Sequence, residues 1–182
     1  MLKASENPPL VWPEGQPLGQ FAGQWWVVHT KSRNEKALAH DLIGRQVSYF
    51  LPMSWKVRHI RGRRIKSLLP LFGGYLFFCG NEQQRVEALK TNRIASLIEV
   101  KDQELLVTEL SAIERALQSG ADLQRHNYIK TGQRCRVISG PLRDIEGVVQ
   151  QSRTGARLIL KVDMLGQAAS VEVDSDLIEI LE

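Results

Sequence analysis

Polar and apolar residues alternate along several short segments in the last fifty residues of the chain. In the first of these segments Cys135 and Val137 point to one face and two arginines point to the other, because side chains alternate along a strand. Gly140–Pro141 predicts a tight turn, and Gly147 lies where a strand bends or another backbone passes close. Three more strand-like runs follow, each bounded by turn residues. Five short strands of this spacing are typical of an SH3-like β-barrel.

A mixed pattern fills the preceding part of the chain, where strand-like runs alternate with helical periodicity. Trp25–Thr30 is an apolar run of β-forming residues. Asn81 predicts the cap of a helix that extends to Lys90, and Leu105–Gln118 has apolar residues at helical spacing. Arg61–Arg63 separates two further strand-like runs and predicts a hairpin with a basic tip. Strands that alternate with helices in this way indicate an α/β layer around a mainly antiparallel sheet.

These patterns divide the chain into four parts and predict an α+β fold. Residues 1–24 are rich in Pro and Gly and are interpreted as a flexible tail. Residues 25–119 form the predicted α/β domain, an antiparallel sheet flanked by helices. Residues 120–131 show no clear period and are interpreted as a linker, and residues 132–182 form the small barrel.

The net charge of +4 is distributed unevenly between the two predicted domains. Residues 25–119 contain 15 Lys and Arg against 9 Asp and Glu, whereas residues 132–182 contain 6 against 8. A basic first domain indicates contact with a nucleic-acid backbone, and a slightly acidic barrel favours a protein partner. The two halves are therefore predicted to bind different partners.

The residue types that catalysis or metal binding requires are scattered along the chain. The four histidines form no HExxH motif, and the sequence has no nucleophile elbow or Gly-rich phosphate loop. Cys79 and Cys135 lie far apart without a CxxC partner, which indicates reduced, buried residues in a cytoplasmic protein. No apolar stretch reaches membrane-spanning length. We expect a monomer that is not an enzyme and needs no metal or cofactor.

Both predicted domains resemble those of the NusG family of transcription elongation factors. The Gly140–Pro141 turn and the strand that Gly147 opens resemble the family's KOW domain. The run Trp25–Val28 looks like the opening strand of its amino-terminal (NGN) domain, and Leu71–Tyr75 is similar to its Phe-Pro-Gly-Tyr strand entry. The resemblance covers nearly the whole chain apart from the tail, and it implies an NGN domain followed by a KOW domain.

A narrower resemblance is to the RfaH-like members of this family, which act at selected operons. Tyr49–Met53 and Val162–Gln167 are similar to sequences of that group, and the region between Val47 and Leu71 is compact. Gly73 stands where the family usually has Pro, which loosens the strand entry without changing the fold. This resemblance implies a specialised paralogue, and a housekeeping NusG is the alternative.

The family resemblance implies a transcription elongation and antitermination factor that performs no covalent chemistry. In the family the NGN domain binds the clamp helices of bacterial RNA polymerase with an apolar patch and reaches the opposite lobe, which suppresses pausing and promotes readthrough. The aromatic residues of the patch have a second interpretation as core residues. The implied polymerase-binding residues are His29, Phe72, Tyr75, Phe77, Ile94 and Leu97, with Gln84 and Arg85 at the far lobe.

The same resemblance implies two further binding surfaces. One contacts the non-template DNA strand, where Lys and Arg would bind phosphate and Asn would read a base edge. The other is the apolar surface of the KOW domain, which in the family recruits the termination factor Rho or a small-subunit ribosomal protein. The implied nucleic-acid residues are Lys31, Arg33, Asn34, Asn92 and Arg93, with Arg61, Arg63 and Arg64 on the hairpin. The implied KOW contact residues are Leu142, Ile145, Met164 and Leu165.

The alternative function is that of a ribosome-associated or RNA-binding KOW protein without polymerase activity. A role limited to RNA gives no reason for the apolar patch around Phe72, Tyr75 and Phe77. RNA binding would depend on the arginines instead, because phosphate contacts supply most of the affinity for a nucleic acid. The two interpretations are therefore separated by substitutions in the patch.

Overall fold

The computed structural model describes residues 6–126, 132–152 and 155–181. The chain divides into two compact units, Met1–Gln103 and Glu104–Glu182. Among the described residues, no helix combines the length and the apolar composition that crossing a membrane requires.

The first unit contains a five-stranded antiparallel sheet, a separate hairpin and two helices. Its elements in chain order are β1 (Val11–Trp12), β2 (Gln24–Thr30), α1 (Glu35–Gly44), β3 (Ser48–Phe50), β4 (Met53–Ile60), β5 (Arg63–Pro70), β6 (Tyr75–Gly80), α2 (Glu82–Lys90) and β7 (Ile94–Glu99). The strand order in the sheet is β1-β3-β6-β2-β7, and β4 and β5 form a two-stranded sheet of their own. This arrangement confirms the predicted α/β layer.

Helices α1 and α2 pack on one face of this sheet. Leu76 and Phe78 of β6 are fully buried in a cluster that includes Leu38 of α1 and Ala88 of α2. Because side chains alternate along a strand, Tyr75 and the other odd-numbered residues of β6 point to the opposite face. The two faces of β6 therefore have different surroundings, and this difference decides which aromatic residues remain accessible.

The segment predicted as a flexible tail instead completes the edge of the sheet. Val11–Trp12 pairs with β3 in antiparallel register, and the buried Tyr49 hydroxyl donates to the carbonyl of Pro9 at 2.9 Å. Burial of this hydroxyl raises its pKa above the usual range. Without β1, strand β3 would expose a row of unpaired backbone groups. The tail prediction therefore fails for the described residues, and its residues 1–5 lie outside them.

The second unit is a helix followed by a β-rich domain, as the predicted fold class requires. Its elements are α3 (Gln103–Gln118), β8 (Gln124–His126), β9 (Gln133–Val137), β10 (Glu146–Ser152), β11 (Gly155–Val162), β12 (Gln167–Val173) and β13 (Ile178–Ile180). The strands form one antiparallel sheet in the order β13-β9-β10-β11-β12-β8. Strand β8 falls within the predicted linker, because pairing with the edge of β12 gives that stretch a regular structure. Residues 127–131 of the predicted linker are outside the described range.

Two glycines of the β-rich domain behave as their sequence context predicts. Gly140 has a positive φ of 83°, which a turn residue without a Cβ adopts readily. A Cβ on Gly147 would lie only 2.6 Å from the carbonyl oxygen of Ile159 on the neighbouring strand. The close approach of β11 therefore requires glycine at this position.

Helix α3 is hydrogen-bonded to two loops of the β-rich domain. The Arg115 guanidinium donates to the carbonyl oxygens of Arg143 and Asp144, at 2.8 Å and 3.3 Å. The Glu109 carboxylate accepts from the backbone N–H of Asp163. The buried residues of α3 include Leu110 and others at helical spacing, so this helix has an apolar face as well as polar contacts.

Both cysteines are free and buried, as their isolation in the sequence predicts. Burial raises the pKa of the Cys79 thiol to about 11. Burial also raises the pKa of the Cys135 thiol, against an opposing hydrogen bond from the backbone of Gly147. Because the thiolate is the reactive form of cysteine, both residues are protected from oxidation and alkylation near neutral pH.

Candidate functional site

His29 and Tyr75 lie side by side on the sheet face opposite α1 and α2. His29 is paired with Tyr75 of β6 on one side and with Ser96 of β7 on the other. The centroids of the two rings are 5.2 Å apart in a tilted arrangement. His29 is exposed and Tyr75 is half-buried. Together with Gly74 and Ser96 they form what we call the His29–Tyr75 surface.

The loop before Tyr75 is held in place by a buried carboxylate. The Glu35 carboxylate, on the first turn of α1, accepts the backbone N–H of Gly74 at 2.6 Å. The carbonyl of Gly74 in turn accepts from the N–H of Thr30 at 2.8 Å. Gly74 has a positive φ of 84°, and a Cβ there would come within 3.5 Å of the His29 ring. Glu35 therefore fixes the backbone against which both rings of the His29–Tyr75 surface are placed.

Replacement of Glu35 with Ala is expected to lower the free energy of unfolding of the first unit by about 1–3 kcal/mol, because it leaves the partly buried backbone N–H of Gly74 without its acceptor. Glu35→Gln keeps an acceptor oxygen and should lose less than half as much. Urea denaturation followed by tryptophan fluorescence measures both variants, since all four tryptophans lie in the first unit. Equal stability of the Ala and Gln variants would contradict this role of the carboxylate.

The residues of the predicted polymerase-binding patch do not share one surface, because they lie on different faces of the sheet. Phe72 and Phe77 are 1% and 0% exposed, and the Phe77 ring stacks on Phe50 at a centroid distance of 6.4 Å. Their interpretation as core residues is the one that the structure supports. Ile94 and Leu97 pack against the cluster on the side of α1 and α2. Leu97 does so because its register partner on β2 is Val28, one residue before His29.

Of the predicted patch, His29 and Tyr75 are the members that share an accessible face. Sequence reasoning missed Ser96, which is exposed beside His29, and Ile98, which is half-buried opposite Val27 on the same face. Their positions follow from the register of β7 against β2, which places residues 96 and 98, rather than 94 and 97, on the same face as His29. The missing signal is the pairing of β7 with β2, which no local pattern reveals.

The predicted far-lobe residues, Gln84 and Arg85, have structural partners on α2. Gln84 forms a capping box with Asn81, and its amide also donates to the carbonyl of Gln46 at 3.0 Å. Arg85 forms an ion pair with Glu82 at 2.6 Å and lies over the Trp26 ring. The hydrogen bond from Arg85 lowers the pKa of the Glu82 carboxyl. The Gln84 side chain is therefore engaged in capping α2, whereas Arg85 is partly accessible.

Four of the five nucleic-acid candidates near the start of α1 are joined in pairs by side-chain hydrogen bonds. The Lys31 ammonium donates to the side-chain oxygen of Asn92 at 2.7 Å. The Arg93 guanidinium donates to Asp41 at 2.5 Å and to the side-chain oxygen of Asn34 at 2.9 Å. These bonds connect the loop before α1 to the loop before β7.

Within this cluster the side chains differ in their availability to a ligand. The Arg93 and Asn34 side chains are committed to internal hydrogen bonds and to the Asp41 carboxylate. Arg33 is exposed and has a positive φ of 57°. Among the described residues, no carboxylate forms an ion pair with Arg33 or Lys31. Arg33 and Lys31 are thus the members with charge to offer, while Arg93 holds the surface together.

The hairpin β4–β5 carries the remaining nucleic-acid candidates at its tip. Arg61 and Gly62 form the two-residue turn, with φ values of 49° and 75°, and Ile60 pairs with Arg63. Positive φ at both central residues is the geometry of a type I′ hairpin turn. The predicted cations Arg61, Arg63 and Arg64 are all exposed.

The predicted contact residues of the β-rich domain lie on the two loops that α3 binds. Leu142 and Ile145 are 8% and 1% exposed, so they are core residues rather than surface contacts in this structure. Met164 is exposed and Leu165 half-buried. Leu142 also lines a groove of 510 Å³ at the edge of this domain. Of the four predicted residues, Met164 and Leu165 are therefore the accessible ones.

A family model and a relative found by sequence both indicate one family. A family model described as transcription termination factor nusG matches residues 23–115. The transcription termination/antitermination protein NusG of Pseudomonas aeruginosa is 26% identical over 175 residues, which cover 87% of this chain and 99% of the relative. A solved structure of Thermotoga maritima NusG, described as showing domain interaction, is 20% identical with a TM-score of 0.42, and the match covers 87% of this chain and 97% of that one.

The family match also bears on where the first domain ends. It extends to residue 115 and includes most of α3, whereas the compact units separate after Gln103, the first residue of α3. The predicted domain boundaries at 119 and 132 therefore remain predictions. The matched region is more than half of the chain, and the Pseudomonas relative aligns over nearly its whole length. The chain belongs to the NusG family of transcription termination/antitermination factors.

Proposed function

We propose that this chain binds bacterial RNA polymerase through the His29–Tyr75 surface and promotes elongation through pause and termination sites. The observation that carries the proposal is the half-exposed Tyr75 ring beside the exposed His29 ring, on a backbone that Glu35 fixes. Aromatic side chains on a rigid support are common anchors of protein interfaces. These two residues also match the family's polymerase-binding patch, while the buried Phe72 and Phe77 support them from within the unit.

The effect on transcription is an effect of differential binding. A factor that binds the closed, active polymerase more tightly than the paused one shifts the population toward the active state. In this proposal Tyr75 and His29 bind the clamp helices, and the partly exposed Arg85 of α2 contributes at the opposite lobe. The chain acts in the cytoplasm as a monomer, and it performs no covalent chemistry.

Contact with the non-template DNA strand is the second part of the proposal. Arg33 and Lys31 supply positive charge for phosphate, and the network of Arg93 with Asp41 and Asn34 keeps their loops in place. Asn92, which accepts from Lys31 and has a positive φ of 57°, is positioned to exchange that bond for a base edge. Such a contact would direct the factor to selected operons, as in the RfaH-like group.

The β-rich domain is proposed to recruit a protein partner, either Rho or a small-subunit ribosomal protein. Met164 supplies an exposed apolar contact, and Leu165 is half-buried beside it. Both lie in the loop whose first backbone N–H is bound by Glu109 of α3. This half of the proposal is independent of polymerase binding, because it uses residues of the other compact unit.

Substitution of Tyr75 with Ala is expected to weaken polymerase binding about 30-fold, the equivalent of about 2 kcal/mol for one interface anchor. Tyr75→Phe keeps the ring and should bind within a factor of three or so of the wild type. Binding is measured with purified bacterial RNA polymerase, and pause lifetimes and terminator readthrough are scored in the same reactions.

Shorter pauses with the wild type and normal pauses with Tyr75→Ala are the expected result. A dependence of the effect on template sequence would support action at selected operons. Equal polymerase binding by all three proteins would contradict the assignment of the surface. A wild type that neither binds polymerase nor alters pausing would favour the ribosome-associated or RNA-binding alternative.

A further inference from the structure

The hairpin β4–β5 concentrates positive charge without compensating acidic residues. Between Asp41 and Glu82 the sequence contains seven Lys and Arg and no Asp or Glu, and six of the seven lie between Lys56 and Lys66. Elsewhere, arginines such as Arg45 and Arg136 form ion pairs with carboxylates. Among the described residues, the arginines of the hairpin have no such ion pair. Arginines that lie close together in this way repel one another unless an anion is bound.

The cations of the hairpin lie on both of its faces. In an antiparallel pair, directly opposed residues share a face, and alternate residues along each strand share it too. Arg58 and Ile60 are alternate residues of β4, and Ile60 is directly opposed to Arg63. Arg58 and Arg63 therefore point to the same face. Arg64 and Lys66 point to the other face. The position of the Lys66 ammonium over the Trp55 ring, at 4.7 Å, agrees with this assignment.

Charge on two faces distinguishes one kind of ligand from another. A single-stranded nucleic acid, or the outer surface of a duplex, would contact only one face of the hairpin. The cations on the opposite face would then have no phosphate to bind. A groove with phosphates along both walls uses both faces at once. The major groove of B-form DNA is about 12 Å wide and admits a two-stranded ribbon, whereas the major groove of A-form RNA is too narrow for side chains to read. The strands of 8 residues each would span about 26 Å.

We propose that the hairpin β4–β5 inserts into the major groove of duplex DNA, with Arg58 and Arg63 on one wall and Arg64 and Lys66 on the other. Arg61 at the turn, with its exposed neighbours, enters first. This inference goes beyond the proposed function, which gives the hairpin no role, and it names duplex DNA and the groove for the cations that the family resemblance implies as nucleic-acid residues. It uses a part of the first unit that is separate from the His29–Tyr75 surface, so the two can fail independently.

The test uses the full chain without polymerase and a fluorescein-labelled mixed-sequence 20-base-pair DNA. Anisotropy titrations over a range of salt give the slope of log affinity against log salt. Each lost phosphate contact reduces the magnitude of that slope by about 0.9. The double variants Arg58→Ala/Arg63→Ala and Arg64→Ala/Lys66→Ala should each reduce it by about 1.8. Arg45→Ala/Arg134→Ala removes the same charge away from the hairpin and should leave it unchanged.

Three further comparisons identify the ligand and the groove. The same sequence as single-stranded DNA and as duplex RNA should bind more weakly than duplex DNA. Wild-type protein should protect guanine N7 atoms, which face the major groove, from dimethyl sulfate, and neither hairpin variant should do so at equal concentration. Circular dichroism checks that each double variant retains its fold.

Several outcomes would overturn the inference. They are an effect of one double variant alone, tighter binding of single-stranded DNA or duplex RNA, and unprotected guanine N7 atoms at saturation. Tyr75→Ala should bind duplex DNA like the wild type. If the wild-type protein binds polymerase but not duplex DNA, this inference is wrong and the proposed function stands. If it binds duplex DNA but not polymerase, only the proposed function is wrong.

Discussion

Replacement of Phe77 with Ala is expected to lower the free energy of unfolding of the first unit by about 3–5 kcal/mol. The side chain is fully buried and its ring stacks on Phe50, so truncation removes apolar contacts and leaves a cavity that the neighbouring strands cannot fill. Strand β6 lies between β3 and β2, and a shift of its backbone would disturb both. Urea denaturation followed by tryptophan fluorescence measures the loss.

Tyr75→Ala is the matched control, because Tyr75 is on the same strand and points to the same face as Phe77. Its half-exposed ring should contribute no more than about 1 kcal/mol to stability. The two residues therefore have opposite expected profiles, with Phe77 acting on folding and Tyr75 on polymerase binding. A Phe77→Ala protein that is as stable as the Tyr75→Ala protein would show that the burial of Phe77 is not maintained in solution.

Gly147→Ala is expected to destabilise the β-rich domain by about 3 kcal/mol. The added methyl group would lie 2.6 Å from the carbonyl oxygen of Ile159 and 2.9 Å from the Leu158 side chain. The first neighbour is backbone, so relief requires β10 and β11 to separate and to lengthen their shared hydrogen bonds. Amide signals of the β-rich domain in a urea titration by NMR measure the effect.

Gly166→Ala separates this steric effect from backbone strain. Gly166 has a positive φ of 58°, and a Cβ there would meet nothing within 4 Å, so its cost is the strain of the left-handed conformation, about 1 kcal/mol. Tryptophan fluorescence should remain unchanged in both variants, since the tryptophans belong to the first unit. Equal losses for the two glycines would show that the strands adapt to the methyl group.

Much of the fold follows from local patterns in the sequence. The helix from Glu82 to Lys90 has the predicted bounds, because Asn81 and Gln84 form a capping box that is visible as a local signature. Gly140 and Gly147 have the turn and close-approach roles that their spacing predicts. Such features depend on neighbours in sequence, so the sequence is sufficient to predict them.

The accessible face of β6 could not be predicted in the same way. Leu76, Phe77, Phe78 and Cys79 are all buried, and a strand that is buried on both faces shows no alternation to read. The apolar run indicates a strand but does not say which side carries a ligand. Pairing of β6 with β2, and of β2 with β7, settles the question, because it aligns Tyr75 with His29 and His29 with Ser96.

Two supporting carboxylates of the site, those of Glu35 and Asp41, were missed for a related reason. Glu35 reaches Gly74 across 39 positions of sequence, and Arg93 reaches Asp41 across 52. Each contact joins a helix to a loop that only the folded sheet brings near. A buried acid in the first turn of a helix has an ordinary explanation in the helix dipole, so Glu35 gave no local signal of a role in the site.

The independence of the hairpin has a consequence for divergence within the family. Strands β4 and β5 form a sheet of their own, and the residues around their turn are exposed, so changes of length, charge or tip sequence there disturb no neighbouring strand. Substitutions in β6, by contrast, disturb a core. In the outer half of the hairpin, relatives can therefore acquire different nucleic-acid preferences without losing stability. We expect that a hairpin grafted from one relative into another would transfer its nucleic-acid preference.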